Sequence, residues 1–476
     1  MHLLADAVVD ANRLIIWYFL AVNSVYALLL ILSVPEIWKH WKIVTGEDLQ
    51  TYMGSEALPP ISVLIPAYNE EANIIQSVSA QLALQYPRHE VIVINDGSTD
   101  RTLERLRTAF DLYEVPPAYP LRLKTAAVRA YYRSRSQHAL LVVDKENGGK
   151  GDALNVGINS ARSPLVVPVD ADTLVAPDAL LRLVRPFLLG ESVAAAGGTI
   201  RVANGCRIEN GRVVEPRVPR RFLPAVQVPE YLRAFLFGRL GWNRIGGNLI
   251  VSGAFGLFQR HFLLAIGGYA TGSVVEDLDL VVRLHAYLRQ QGLPYDIPFI
   301  PDPVAWTEVP SDLRTHKRQR ERWHRGLIAT LVSHRRMLFN PRYGPVGLIT
   351  MPFFFCGEML APVVEALGYL LAVAGWAFGL LSIRYALLFL AAALGYQLLL
   401  SIWAIVFEET TFHVYPRTRD FVRLLAYAAA EPFGYRQLTV LWRLFAFGNA
   451  LRGSKKWGKM RRRGFAPASA TPGRRL

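Results

Sequence analysis

What most restricts this chain is where its charge is missing. Ile15 to Ser33 (IIWYFLAVNSVYALLLILS) carries no charged residue, Tyr385 to Phe407 is a second such stretch, and Ala361 to Ile383 is a third, interrupted only by Glu365. A helix of about 20 apolar residues spans the hydrocarbon core of a bilayer, so each run is long enough to cross one. From about Ile61 to Arg325 the pattern is that of an ordinary soluble domain. The apolar fraction of 52% is therefore unevenly spread, and the chain reads as a soluble domain slung between membrane segments.

A secretory signal is the alternative for the first run. It would start basic, hold a shorter apolar core and end at a small-residue cleavage site. Here Asp6 and Asp10 precede the run and Val34-Pro35-Glu36 follows it, so we read a retained anchor. The net charge of +15 would suit a nucleic-acid partner, but no nucleic-acid motif accompanies it. Basic residues instead crowd beside apolar segments: Lys39 and Lys42 after the first, Lys455 to Arg463 after the last. Cytoplasmic flanks facing anionic lipid have that pattern. The expected protein is integral to the inner or plasma membrane, with its amino terminus outside and its soluble domain in the cytoplasm. Membrane lipids, not nucleic acid, are its expected surroundings. Ala361–Ile383 and Tyr385–Phe407 would form a hairpin, and Phe421–Leu451, which carries Arg423, Glu431, Arg436 and Arg443, would lie along the surface. Two cysteines, Cys206 and Cys356, exclude a disulfide framework, and Cys356 reads as a buried thiol.

Between the apolar ends, short apolar runs alternate with helical spacing. Ile61–Pro66, Glu90–Asn95, Ala139–Val143 and Leu165–Val169 read as buried strands; Glu70–Leu84, Thr99–Phe110 and Gly149–Ala161 read as helices, the second capped by Thr99 or Asp100. Such alternation implies an α/β, Rossmann-like domain with a mostly parallel sheet, whose ligands sit beyond the carboxyl ends of its strands. Asn204–Arg244, with Pro216, Pro219, Pro224 and Pro229, reads as an elaborated loop. A helix capped by Ser311 runs to about Leu338. The expected divisions are an anchor over 1–48, the soluble domain over 49–310, an amphipathic interface helix over 311–345, membrane and interface helices over 346–452, and a basic tail over 453–476.

Polar motifs fall where the strands end. Asp96 could take hydrogen bonds from a base edge or a ribose hydroxyl, with Tyr68 stacking on the base; Asp96-Gly97 could equally be a turn. Asp170-Ala171-Asp172 offers two carboxylates for a divalent cation, since hard cations take oxygen ligands and tolerate phosphate beside them. Asn147-Gly148-Gly149-Lys150-Gly151 opens a helix, and its amides and lysine suit a diphosphate; a plain Gly-rich turn is the alternative. Asp277, in Val275-Glu276-Asp277-Leu278-Asp279, is a candidate general base or a helix-capping carboxylate. A helix N-terminus lowers its pKa, so a working base there needs burial or Glu276 to offset it. Gln319, Arg322 and Trp323, at i, i+3 and i+4, share one helix face offering an amide, a guanidinium and an indole, or form part of a solvated basic helix.

In order, Asp96, Asp170-x-Asp172, Glu276-Asp277 and Gln319-x-x-Arg322-Trp323 closely resemble the processive family 2 glycosyltransferases. These include the cellulose, hyaluronan and chitin synthases and the poly-N-acetylglucosamine synthases. Val275 stands where the cellulose and hyaluronan enzymes usually carry Thr. The resemblance implies a GT-A-type domain, with transmembrane and interface helices, that inverts the transferred sugar's anomeric centre. Tyr68, Glu70 and Asp96 would hold the uridine of a UDP-sugar donor, with Lys150 and Asp170 nearby. Asp172 would ligate Mg²⁺ or Mn²⁺, and Asp277 would deprotonate the acceptor hydroxyl. Gln319 and Arg322 would engage the diphosphate, and Trp323 with Glu276 the acceptor, a growing polysaccharide. Glu431-Pro432-Phe433-Gly434-Tyr435-Arg436-Gln437 and Lys456-Trp457-Gly458-Lys459-Met460 are most similar to poly-N-acetylglucosamine synthases. They tilt the expected donor to UDP-N-acetylglucosamine. Trp457-Gly458 also resembles the W-G-x-R gating motif of hyaluronan synthases, which implies a gating role for Trp457 and Lys459; a lipid-contacting basic tail is the equal alternative. The resemblance leaves open a small accessory membrane subunit, a transferase adding one sugar to a lipid or polyprenyl acceptor, and a hyaluronan-, cellulose- or chitin-type product. A non-catalytic nucleotide sensor, the remaining alternative, would have no need of Asp277.

Overall fold

The computed structural model describes residues 2–46, 57–117, 119–190, 192–209, 211–379, 384, 387–388 and 391–451. The proposed gate at Trp457 and Lys459 lies outside the described residues, as do 380–383, 385–386 and 389–390 of the two later apolar stretches.

The first apolar run sits in a single helix, α1 (His2–Gly46), whose 36 residues from Val8 to Ile43 are long and apolar enough to cross a membrane. The soluble domain then begins with β1 (Ile61–Ala67), α2 (Ile74–Leu82), β2 (His89–Asp96), α3 (Thr102–Ala109), β3 (Leu112–Val115), β4 (Val128–Ser134), β5 (Leu140–Lys145), α4 (Lys150–Ser160), β6 (Leu165–Pro168), β7 (Leu174–Val175) and α5 (Ala179–Leu189). After β8 (Ala195–Val202), β9 (Arg207–Glu209) and β10 (Arg212–Glu215) come α6 (Phe222–Tyr231), a π-helical stretch over Leu232–Phe237 and α7 (Gly238–Asn243). The domain closes with β11 (Gly256–Gln259), α8 (Arg260–Ala265), α9 (Glu276–Gln290) and β12 (Phe299–Thr307).

Ten strands form one sheet in the order β3-β4-β5-β2-β1-β6-β11-β8-β12-β7. Its centre, β5-β2-β1-β6, is parallel. Successive side chains on these strands point to opposite faces. Val63, Ile65, Val91, Val93, Leu140 and Val142 feed one core with α2, α3 and α5; Leu64, Ile92, Ile94, Leu141 and Val143 feed the other with α4. Burying each such side chain contributes on the order of 1.5–3 kcal/mol, so the alternation itself fixes the register. Gly157 brings α4 down onto the sheet, because a Cβ there would stand 3.1 Å from Ile94 and 3.2 Å from Leu64.

The sheet is mixed rather than mostly parallel: β11 runs antiparallel to both β6 and β8, and β4 runs antiparallel to β3 and β5. The strands that break the expectation lack a strand's usual signature. β8 (AAGGTIRV) has four small residues in a row, β11 has only four residues, and β12 contains Pro301 and Pro303. Asn204–Arg244 is a β-hairpin followed by a nearly continuous helix, not a loop. Burial of Leu232, Leu236, Phe237, Leu240 and Trp242 overrides the break at Pro229, which the π-helical turns absorb. Of the two residues expected at the start of α3, Asp100 makes the contact, its Oδ1 accepting from Thr102 N at 3.0 Å; the other cap moves, and Asp312, not Ser311, caps α10 (Leu313–Ser333) by accepting from Thr315 N at 2.9 Å.

Beyond α10, π-helical turns over Val346–Met359 lead into α11 (Ala361–Ala377) with a 40° bend, and together they pass the same length and apolarity test as α1. Cys356 in this segment is exposed, not buried, since these turns present it away from the protein's packed side. Then follow α12 (Tyr396–Thr411), α13 (Thr418–Ala430) and α14 (Tyr435–Leu451). The stretch read as one surface element over Phe421–Leu451 is thus two helices, parted at a turn in which Gly434 takes a φ of +79°.

Candidate active site

The carboxyl ends of β1, β2, β5 and β6 converge, and the loops leaving them are tied to one another. Asn69, in a left-handed conformation, accepts from Thr99 N at 2.8 Å and donates its own backbone N–H to Ser98 Oγ at 3.0 Å. Tyr68 stands exposed beside it. Asp96 is almost wholly buried. Its Oδ1 accepts from Lys145 Nζ at 2.6 Å and Gly148 N at 2.9 Å; its Oδ2 accepts from Gly149 N at 2.8 Å and Asn147 Nδ2 at 3.2 Å. Asp152, in the first turn of α4, pairs with the same Lys145 Nζ at 2.7 Å. The fully buried Lys145 therefore bridges two carboxylates directly under the glycine loop, and a Cβ on Gly148 would press into Asp152. Sequence reasoning missed Lys145 and Asp152, although a lysine ending an apolar strand is itself a signal of pairing, because a buried charge needs a partner. It gave Asp96 a base-binding role; in the structure the two Asp96 oxygens take four donors from Lys145, Asn147, Gly148 and Gly149, which ties the glycine loop to the end of β2.

On the open side of that loop, Lys150 Nζ meets Asp170 Oδ1 at 2.7 Å and Glu276 Oε1 at 3.0 Å. Burial pulls the ammonium's pKa down, but Asp170 and Glu276 outweigh it and hold it well above the ordinary lysine range. Asp277 is at the start of α9, where Oδ1 accepts from Leu278 N at 2.8 Å and Oδ2 from Gly253 N at 3.1 Å. Burial, then Glu276, push its carboxyl above the usual carboxylate range against the pull of Lys150 and the two amides. That is the offset a base at a helix start requires. Asp279 is differently placed: it pairs with Arg283 at 2.8 Å and His334 at 3.1 Å, and despite burial these bring its carboxyl below the usual range.

The turn before Asp277 is held from two sides. Asn155 of α4 accepts from Tyr269 N at 2.7 Å and donates to Tyr269 O at 2.9 Å. From the other side, Val275 packs onto α10 at Gly326, where any Cβ would collide with the valine side chain. The helix carrying Gln319, Arg322 and Trp323 is thereby pressed against the loop carrying Asp277.

One cavity of about 630 Å³ collects these groups. Lys150, Asp170, Asp172, Glu276 and Asp277 line one end, and Gln319, Arg322 and Trp323 stand along its wall. Tyr68, Glu70 and Asp96 are not among its lining residues. Gln319 Oε1 is buried in that wall with no donor from the described residues. The cavity then continues among α1, α11, α12 and α14, past Tyr26, Glu358, Glu365, Gln397 and Glu431. Several charged groups on its wall are paired: Arg233 with Glu431 at 2.7 Å, Arg436 with Glu365 at 2.6 Å, and Arg320 and Tyr435 both on Glu230, the tyrosine at 2.9 Å. The run Glu431 to Gln437 supplies three of these partners. No group of three or more His, Cys, Asp or Glu comes together among the described residues. The Asp170–Asp172 pair on an open cavity instead fits a cation that takes most of its ligands from a diphosphate, as Mg²⁺ commonly does.

Residues 165–408, half of the chain, match the family described as Glycosyl transferase family group 2, and residues 62–231 match Glycosyl transferase family 2. The chain belongs to this glycosyltransferase family, and its fold is GT-A-type. It is similar to the poly-beta-1,6-N-acetyl-D-glucosamine synthase of Staphylococcus epidermidis, at 28% identity over 267 residues, 56% of this chain and 54% of that one. The synthase of the same description from Staphylococcus aureus (strain COL) is 29% identical over 272 residues, 57% of this chain and 55% of that one. The match thus spans about half the length of these curated relatives. Among solved structures, the mannosyltransferase PcManGT from Pyrobaculum calidifontis, in complex with GDP-Man and Mn²⁺, covers 89% of this chain and 99% of its own at 19% identity and a TM-score of 0.49.

Proposed function

We propose that the chain is a membrane-embedded, inverting transferase that polymerises N-acetylglucosamine from UDP-N-acetylglucosamine into a β-linked polysaccharide and passes the growing chain toward the far side of the membrane. The observation that carries this reading is the single cavity in which Asp277, the Asp170–Asp172 pair and the Gln319–Trp323 face open into a polar passage between helices. The choice of sugar rests on the staphylococcal relatives and on the Glu431–Gln437 run.

In this mechanism the acceptor hydroxyl oxygen attacks the anomeric carbon from the face opposite the diphosphate. The carbon–oxygen bond to UDP breaks, and the hydroxyl proton passes to Asp277, help worth roughly 10²–10⁴ in rate. Lys150, Gln319 and Arg322 hold the diphosphate, where fixed donors stabilise charge as it develops; the Gly148 and Gly149 amides, taken up by Asp96, fix the loop that leads into Lys150. Tyr68, Glu70 and Asp96 form the uridine side. Bound at Asp170 and Asp172, Mg²⁺ or Mn²⁺ would neutralise charge gathering on the leaving group. Trp323 offers an indole face to the acceptor sugar, and Glu276 holds Lys150 in place beside it.

The test is the product. Purified protein in vesicles with Mn²⁺ and labelled UDP-N-acetylglucosamine should yield long polymer, degraded by a glycosidase specific for β-linked N-acetylglucosamine. Polymer formed only from UDP-glucose, or from two alternating donors, would overturn the sugar and leave the chemistry. A product one sugar long would overturn processivity.

A further inference from the structure

On the side of α10 away from the cavity lies a second depression, lined by Arg314, Lys317, Arg318 and Glu321 of α10 and by Phe445 and Asn449 of α14. At 3.6 residues per turn, positions 314, 317, 318 and 321 share one face of α10, nearly opposite the face of Gln319 and Trp323. The depression is strongly cationic, three basic side chains to one carboxylate. Lys317 Nζ lies 4.8 Å from the centroid of the Phe445 ring. Phe445 ends a stripe on α14 that also holds Leu438 and Leu441, at i, i+3 and i+7, with the three side chains 40–49% exposed. A basic pocket thus sits at the end of an exposed apolar track. Lys317 Nζ also lies 3.6 Å from Glu321 Oε1, so the depression keeps a net positive charge beside the track. An anion alone would leave the track bare, and an acyl chain alone would leave that net charge without an anionic ligand.

We propose that this groove seats one anionic phospholipid, its phosphate on Arg314, Lys317 and Arg318 and an acyl chain along Leu441 and Leu438. The assignment rests on the membrane-embedded reading above. The lipid packs against α10 and α14 from outside, on the face of α10 opposite Gln319 and Trp323.

The full chain, purified and placed in bilayer discs of phosphatidylcholine with or without phosphatidylglycerol, provides the test by native mass spectrometry of retained lipid. Wild type should retain phosphatidylglycerol, and Arg314→Gln/Lys317→Gln/Arg318→Gln should retain about tenfold less, since each basic group near an anionic surface adds severalfold to binding. UDP binding by the variant should equal wild type, which reports an intact fold. Arg314→Lys/Arg318→Lys should restore retention. Equal retention by the Gln variant overturns the proposal, and so does loss of retained lipid on adding millimolar inorganic phosphate, which would make the ligand a free anion. Carbonate extraction of wild type from native membranes would overturn the membrane reading, whereas a protein that resists extraction yet retains no phosphatidylglycerol overturns the groove alone.

Discussion

The strand ends and the helical part of the cavity handle charge by different means. At the strand ends, Asp96 is satisfied largely by backbone amides and by Lys145, 49 residues away, within loops that the sheet itself aligns. Among the helices, Glu230 is reached by Arg320 from 90 residues away and by Tyr435 from 205, and Glu431 by Arg233 from 198, all through side chains. Amides fixed in a loop cannot exchange partners without refolding it, so they hold Asp96 and the glycine loop in one geometry. Side-chain pairs can trade an ion partner for another polar group and close again, which would suit the moving polymer of the proposed reaction.

The sharpest test of the donor end is Asp172→Ala. With the Asp170–Asp172 pair broken, turnover should be lost and UDP affinity should no longer depend on Mn²⁺, measured by titration with and without the metal. Full turnover in this variant would remove the cation from the donor end altogether. Asp277→Asn comes next. It keeps the shape and the amide contacts but removes the base, so kcat should fall by roughly 10²–10⁴ while UDP binding stays near wild type. Equal loss of UDP binding would make Asp277 a structural cap.

Lys145→Met separates scaffold from chemistry at the same end. It leaves Asp96 and Asp152 buried without their common cation, and breaking a buried pair costs about 3–5 kcal/mol. Thermal unfolding should shift down sharply, and UDP binding should weaken as the Gly148–Gly149 loop loses its anchor. An unchanged melting temperature would mean that water, not Lys145, neutralises the carboxylates. At the helical end, Arg233→Gln and Glu431→Gln should behave otherwise: near-normal UDP binding, shorter polymer, and a coupling in the double-mutant cycle of about 0.5–3 kcal/mol. Additive effects would make this pair incidental to the passage.

The same contrast governs what the sequence made legible. β1, β2, β5 and β6 announce themselves because Ile, Val and Leu fill both faces of a central parallel strand, and their ends carry Asp96, the glycine loop and Asp170-x-Asp172. Asp277 and the Gln319–Trp323 face could be read from local spacing. Lys145 and Asp152 could not be paired, since nothing in a linear pattern says which buried cation meets which carboxylate. Gly253 offers only its backbone N–H to Asp277, which leaves no mark on residue type. The helical end was the least legible. Its pairs join residues up to 205 positions apart, and Pro229 reads as a break in a helix that burial in fact carries through.

The smallest expected effect tests the electrostatics of the base itself. The Asp277 carboxyl sits above the usual carboxylate range of about 4 because of its burial first and Glu276 second, opposed by Lys150. In the proposed mechanism its working form is the deprotonated one, so kcat should rise with pH through an acid limb whose midpoint lies above that range. Glu276→Gln removes a like charge and also strips Lys150 of one of its two anions, leaving the ammonium more available to Asp277. Both changes favour the carboxylate, so the acid limb should move to lower pH while the limiting kcat changes little. The measurement is a pH profile of kcat for the two proteins at saturating donor. A limb that stays put would mean that burial alone sets the base. A limb that moves up would mean that Glu276 acts on Asp277 chiefly by positioning Lys150, and the donor end would then share the exchangeable side-chain logic of the helices.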